Sequence, residues 1–355
     1  MAQAHYDIVI VGAGPAGCNF ARLLVSKKRI LLIDGSHEHP KVCAGLLSPD
    51  AVRYLKRNGL SLPKEILCDP QLASVRVIDL NRNTSRHYPR RYVNVKRAAF
   101  DHFLLSLVKE NVQIMSARCL DILPQTKGYC LRLRTPDGDI CHITADIIVG
   151  ADGASSLVRQ TLFKKETIQK YVSIQQTFPA EGINPYYSCI FDPATSESCS
   201  WIFFKEDRLV FGGAFTKRGC RAAFEEQKRR LVSGGMVDRT AFDAPLSTEA
   251  CLVSRPHFSK GIFLGNHTAF LIGEAAGFIS PSSFEGISYA LYSGQALANA
   301  VNSAKHSKKI LRHYRSNVRT LCLKIKLKCL KRPFMYGKRW RALIMKSGIG
   351  SVKNS

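Results

Sequence analysis

Apolar residues along this chain fall into two kinds of short run. The first kind is unbroken: Asp7-Ile8-Val9-Ile10-Val11, Ile30-Leu31-Leu32-Ile33, Asp146-Ile147-Ile148-Val149 and Ala269-Phe270-Leu271-Ile272. Such runs, without polar alternation, read as strands buried on both faces of a parallel sheet. The second kind fills residues 166–250, where Tyr171 to Gln176, Trp201 to Phe204 and Leu209 to Gly213 alternate as antiparallel strands do. Shorter strand-like runs lie at Ala73 to Ile78 and Tyr92 to Val95. Between the runs, apolar residues recur at three and four. That spacing predicts helices over Pro15 to Ser26, Pro49 to Asn58, Arg97 to Val108 and Ala222 to Leu231. A long one follows from Ile287 through Ala290, Leu291, Leu297, Ala298 and Val301. The tail repeats the pattern at Leu311, Tyr314, Val318, Leu321 and Ile325, followed by Phe334, Met335, Trp340, Leu343 and Ile344.

Two of the buried runs lead straight into glycine loops. The first strand enters Gly12-Ala13-Gly14-Pro15-Ala16-Gly17, which opens a helix, and the second strand ends on Asp34-Gly35, with Asp34 22 residues after Gly12. This strand–glycine loop–helix–strand–acid order is the dinucleotide fingerprint. Gly12 allows the tight turn, Gly14 the approach of a pyrophosphate and Gly17 close helix–strand packing. The helix N-terminus faces the phosphates, and the acid meets a ribose hydroxyl. The last strand enters Gly273-Glu274-Ala275-Ala276-Gly277 with similar logic: small residues for close approach and an acid to accept a hydrogen bond from a polyol. Gly150-Ala151-Asp152-Gly153-Ala154-Ser155-Ser156, with Arg159 beyond, is a third strand-to-helix turn, and alone it reads equally as a helix cap. Pro281 to Gly286 leads into the long helix, whose positive end at Gly286 and Ile287 suits negative charge.

These placements predict an α/β (α+β) chain. A discontinuous Rossmann-like dinucleotide domain comprises 1–70, 94–165 and 251–305. An antiparallel-sheet substrate domain comprises 71–93 and 166–250, and a basic helical segment covers 306–355. With 355 residues, one two-part unit is expected. The twelve cysteines are scattered without metal-ligand or CxxC spacing, so no metal site is expected and a reducing, cytoplasmic compartment follows. The net charge of +25 is concentrated at one end: residues 302–355 hold 16 Lys or Arg and no acid. Two readings of that tail stand: a packed helix with a solvated basic face, or a surface for anionic lipid on the inner face of the membrane. Nucleic acid is disfavoured, because no recognition motif accompanies the charge.

The ordered motifs, with Arg97 to Asp101 between them, resemble flavoproteins of the para-hydroxybenzoate hydroxylase fold. Within those they resemble the geranylgeranyl reductase branch, through Lys41-Val42-Cys43-Ala44-Gly45 and Ser200-Trp201-Ile202-Phe203-Phe204-Lys205 ending at Gly212. The chain is most similar to the CbrA family of bacterial FAD-dependent proteins, through Gly273 to Ser280, Glu285 to Ala290 and Tyr187 to Asp192. The resemblance implies FAD as cofactor. Gly12, Gly14 and Gly17 would hold its pyrophosphate, Asp34 the adenosine ribose, Arg97 the phosphate side and Glu274 the ribityl chain. Gly286 and Ile287 would abut the ring, and Asp152 would be a structural or cofactor-facing acid. Two positions depart from the branch: Glu274 replaces Asp, and Phe204 replaces the proline before Lys205.

The implied reaction is reduction of carbon–carbon double bonds in an isoprenoid or polyprenyl lipid, by hydride from reduced flavin. Cys43, Trp201, Phe203 and Phe204 are the pocket candidates, each with an ordinary core role as the alternative. No side chain is singled out as proton donor. No second glycine fingerprint is present, which leaves NAD(P)H or a small redox protein as a transient electron donor. A flavin monooxygenase of the same fold and a non-enzymatic FAD-binding redox sensor at the membrane are the rival functions.

Overall fold

The computed structural model describes residues 4–25, 27–35, 42–180, 184–258, 260–304, 306–348 and 350–351. Ser26 at the expected end of the first helix, Lys41 of the cysteine loop and the tail residues 352–355 lie outside them. Seven strands form the first sheet: β1 (Ala4–Val11), β2 (Ile30–Asp34), β7 (Val112–Ser116), β8 (Arg118–Pro124), β9 (Tyr129–Arg134), β10 (Ile140–Gly150) and β16 (Ala269–Leu271). The four unbroken apolar runs are its parallel centre, in the order β2-β1-β10-β16. Ile8, Val9, Ile10, Leu31, Leu32, Ile148 and Phe270 have no solvent exposure, as the absence of polar alternation requires. Ile33, Val11, Gly150 and Leu271 lie side by side in the register, so the carboxyl ends of four strands share one edge.

The second sheet draws its strands from residues 74–88 and 169–255. They are β4 (Ser74–Asp79), β5 (Thr84–Tyr88), β11 (Gln169–Pro179), β12 (Tyr186–Phe191), β13 (Cys199–Lys205), β14 (Arg208–Phe215) and β15 (Ser247–Arg255). A two-stranded ribbon, β3 (Leu46–Leu47) with β6 (Val93–Asn94), stands apart from both sheets. Phe224 and Leu231 of α5 (Cys220–Ser233) cover one face of the second sheet with Phe178, Phe211 and Phe215. A separate cluster of Leu72, Phe203 and Val210 gathers Tyr92, Tyr187 and Trp201.

Around the first sheet lie α1 (Pro15–Leu23), α2 (Pro49–Arg57), α3 (Arg97–Ser106), α4 (Leu157–Leu162) and α6 (Ile287–Ser303). α1 stops before the expected Ser26 because Leu24 turns extended, at ψ 131°. α3 likewise ends at Ser106 rather than Val108. The tail is not one helix but three: α7 (Ser307–Asn317), α8 (Arg319–Tyr336) and α9 (Lys338–Ser347). The break at Val318, with ψ 2°, carries neither glycine nor proline, so apolar periodicity alone could not locate it.

The tail is fastened at both ends. In α7 the buried Tyr314 hydroxyl donates to Leu271 O at 2.9 Å, beside the end of β16. In α9 the Arg341 guanidinium grips both oxygens of Asp79 in β4, at 2.7 and 3.0 Å, and both side chains are buried. Removing one member of a buried pair leaves the other charge without compensation. Arg341→Ala should therefore cost about 3–5 kcal/mol. Arg341→Met combined with Asp79→Asn should recover much of that loss, as a denaturant-unfolding double-mutant cycle would show.

Candidate functional site

At the shared carboxyl edge, three loops are held together by main-chain bonds. Gly12 N donates to Ile33 O, Ala151 N to Val11 O and Ile272 N to Gly150 O, at 3.0, 2.8 and 3.0 Å. The loops that follow β1, β10 and β16 are thereby neighbours, although up to 260 residues separate them in the chain. They enclose one side of a cavity of about 680 Å³. Gly12, Ala13, Gly14, Pro15, Ala16, Asp34, Gly35, Arg97, Asp152, Glu274, Gly286 and Ile287 all line it.

The glycines divide by role. A Cβ on Gly14 would meet no atom within 4 Å, so this position faces open space at the N-terminus of α1. A Cβ on Gly17 would stand 1.9 Å from Gly12 O, so Gly17 lets the helix press against the loop. Gly273 (φ 57°) presses on Ala16 in the same manner. Gly17 and Gly273 do not line the cavity; they pack the wall behind it.

The acids show what the cavity accommodates. Asp152 Oδ2 accepts from Val158 N at 3.2 Å, while Oδ1 is buried without a hydrogen-bond partner among the described residues. Burial raises the Asp152 carboxyl above its ordinary range, despite hydrogen bonds from Ser156 and Val158. Asp101 repeats the arrangement: Oδ2 takes Arg97 Nε at 3.0 Å, and Oδ1 is buried without a partner among the described residues. Buried acceptors left in this condition are costly unless a ligand's donors reach them. For Arg97, burial opposes the charge, but Cys43 and Asp101 outweigh it and hold the guanidinium firmly charged. Open Gly14, a helix N-terminus, a fixed cation and two expectant carboxylates fit a dinucleotide with a pyrophosphate and hydroxyl groups.

Glu274 spans two parts of the wall. Its Oε1 accepts from Ser254 N at 2.7 Å, joining the Gly273 loop to the end of β15. The extra methylene relative to Asp supplies that reach. Arg159, noted beside the Asp152 turn, points away from the cavity and donates to Ala275 O at 2.9 Å, bracing the same loop. Both oxygens of Glu285 are taken by Ser288 N and Oγ at 2.8 Å, which fixes the first turn of α6.

The second sheet supplies the remaining wall through Ser173, Gln175, Tyr187, Trp201 and Val253. A Cβ on Gly212 would come within 2.5 Å of the Trp201 indole; the two residues face each other across β13 and β14, and the glycine makes room for the ring. Trp201 Nε1 and Gln175 Oε1 are buried without partners among the described residues. Of the four pocket candidates, Cys43 and Trp201 line the cavity. Phe203 does not: it is fully buried under Tyr187, in the cluster with Leu72 and Val210. Phe204 packs against the cluster under α5, because neighbouring residues of a strand point to opposite faces.

Lys205, the end of the Trp201 segment, does not line the cavity. Its Nζ donates to Ala44 O and Val95 O at 3.1 and 2.8 Å, fastening the cysteine loop, and burial lowers its ammonium. Two lining residues, Phe284 and Lys328, were not singled out by motif reading. Phe284 takes a left-handed backbone (φ 52°) and packs against Tyr171 and the buried Arg255 guanidinium. Lys328 arrives from α8, bonds Ser280 Oγ at 3.2 Å and lies 5.3 Å over the Tyr289 ring. Its only sequence signal was its place beside Ile325 and Cys329 on one helix face.

The glycine roles can be separated experimentally. Gly14→Val should leave apoprotein stability within about 1 kcal/mol yet weaken FAD binding at least about tenfold. Gly17→Ala should instead destabilise the fold by at least about 2 kcal/mol. Thermal melts of apoprotein with FAD titration distinguish the two.

Comparison with known proteins agrees with this geometry. The FAD binding domain family model matches residues 5–181. Protein CbrA of Escherichia coli O6:H1 is 38% identical, covering 98% of this chain and 95% of that protein. Among solved structures, a geranylgeranyl bacteriochlorophyll reductase-like protein of Thermoplasma acidophilum superposes with a TM-score of 0.78 at 17% identity, over 96% of this chain and 87% of that one. The p-nitrophenol 4-monooxygenase PnpA of Pseudomonas putida DLL-E4 gives 0.72 at 15% identity, over 98% and 94%. At such identities the likeness shows the fold alone; the sequence match shows the family. The chain belongs to the CbrA family and carries the FAD-binding fold of flavin-dependent oxidoreductases.

Proposed function

We propose that this flavoprotein reduces carbon–carbon double bonds of an isoprenoid or polyprenyl lipid. The observation that carries the reading is the wall opposite the dinucleotide loops. Tyr92, Tyr187, Trp201, Ile279, Phe284 and Val253 line the same cavity, offering aromatic and aliphatic surface to an apolar chain. The geranylgeranyl reductase-like description of the Thermoplasma protein supports the same substrate class.

Bound FAD, once reduced by NAD(P)H or a small redox protein, would supply the hydride. The residues must then seat an alkene, exclude water and furnish one proton to the second carbon. Tyr92 and Tyr187, with ring centroids 5.3 Å apart, and Trp201 form the apolar seat. For the proton, the group assigned is Lys328, which lines the cavity. Burial lowers its ammonium below the ordinary lysine range, with Glu285 and Asp50 partly opposing. A weakened hold on the proton makes Lys328 a better acid than a solvated lysine.

Anaerobically reduced holoprotein should reoxidise at least about tenfold faster with a polyisoprenoid than without one. The product should carry one added pair of hydrogens by mass spectrometry. Rapid reoxidation by oxygen with a hydroxylated product would replace this reading with a monooxygenase, and indifference to both would leave a redox sensor.

The protonated form of Lys328 is the active one, so the rate is full at low pH and falls as pH rises through its lowered pKa. Lys328→Met should cost about a hundredfold in turnover and abolish that alkaline limb. A variant whose pH profile matches the parent would acquit Lys328 of the proton step.

A further inference from the structure

Seven of the thirteen large apolar side chains left exposed among the described residues lie between positions 323 and 344. In α8 they are Leu323, Leu327, Leu330 and Phe334, spaced by four, three and four. At 3.6 residues per turn this spacing makes one straight stripe. The opposite face of the same helix carries the buried Ile325 and Cys329 and turns Lys328 to the cavity. α8 is thus apolar on two faces, and only one is covered. In α9, Trp340, Leu343 and Ile344 are exposed, while Arg341 and Met345 are buried beneath them. Phe334 and Trp340 meet edge to face, 5.3 Å between centroids, across the bend at Gly337. The two stripes are therefore one patch.

Cations border it. Arg319 and Lys326 flank the α8 stripe on one side and Lys331 on the other, all exposed, and Lys338, Arg339 and Lys346 stand exposed in α9. No Asp or Glu follows Glu285. A helix with a merely solvated basic face would put its leucines inward and leave lysines at the centre of the outer face. Here the centre of the outer face is Leu, Phe and Trp. A second copy of this chain is a poor occupant, because closing patch on patch would press two basic rims together without an acid between them. We infer that α8 and α9 lie on an anionic lipid bilayer, their apolar stripe in the interface and their Lys and Arg at the headgroups. No described helix is long and apolar enough to cross a membrane, which matches a helix lying in the surface plane.

The docking inference stands on this surface alone. Its further meaning rests on the proposed function: α8 would be both the lipid-facing element and, through Lys328, part of the cavity wall. A prenyl substrate leaving the bilayer would then travel about the width of one helix to reach it.

Full-length holoprotein should be floated with phosphatidylcholine vesicles, with and without a one-third share of phosphatidylglycerol. Binding should be at least about tenfold stronger to the anionic vesicles and weaken with salt. Leu327→Ser with Phe334→Ser should lower it at least about tenfold, with FAD content and melting temperature unchanged. Lys326→Gln with Lys331→Gln should also weaken it and flatten its salt dependence. Equal binding to both vesicle types, no binding to either, or full binding by the serine variant would overturn the inference. So would a lipid-free dimer that the serine variant dissociates. Because flotation involves no turnover, its failure is distinct from failure of the reductase reading.

Discussion

Everything at the site depends on how closely the backbone of α1 is approached from three sides. Added Cβ atoms would place Gly17 1.9 Å from Gly12 O, Gly273 2.8 Å from the Ala16 side chain and Gly294 2.7 Å from Ala16 O. Any side chain at these positions would push apart the first loop, the Gly273 loop and α6. Their absence lets one turn of helix touch elements from both ends of the chain. The dinucleotide cradle is the surface this contact leaves, with the strand ends in register beneath it.

The parallel sheet, both glycine loops and the long α6 were legible in the sequence because each follows from a local rule. A strand buried on both faces must be apolar throughout, and a loop near a pyrophosphate must lack side chains. Asp34, Asp152, Glu274, Gly286 and Ile287 could be placed for the same reason, each being tied to the end of a strand or the start of a helix. Phe204 was misplaced because strand residues alternate faces, and Phe203, though it shares the face of Trp201, is buried beneath Tyr187 rather than open to the cavity. Trp201 alone of the three aromatics lines the cavity, where Gly212 makes room for it.

What stayed hidden depends on contacts between distant segments. Lys328 is one of many tail lysines until α8 folds against Ser280 and Tyr289. Arg341 has no visible reason to be buried until Asp79 is found opposite it, 262 residues away. The break at Val318 carries no local marker. The outward stripe of α8 was present in the spacing of Leu323, Leu327, Leu330 and Phe334, but only the fold shows which of two apolar faces is covered. Charge along the tail left a solvated basic face and a lipid surface both open; the exposed stripe is the observation on which the proposed bilayer contact rests.

The two tryptophans divide these surfaces between them. Trp201 lies in the cavity wall and Trp340 in the exposed patch of α9. No other indole is present in the chain. Emission from Trp201 would be drained by energy transfer into a neighbouring flavin, while emission from Trp340 would shift to shorter wavelength on leaving water. The protein therefore carries two built-in optical probes, one reading cofactor loading and the other the polarity outside its basic tail, separable by quenchers that reach only the exposed ring.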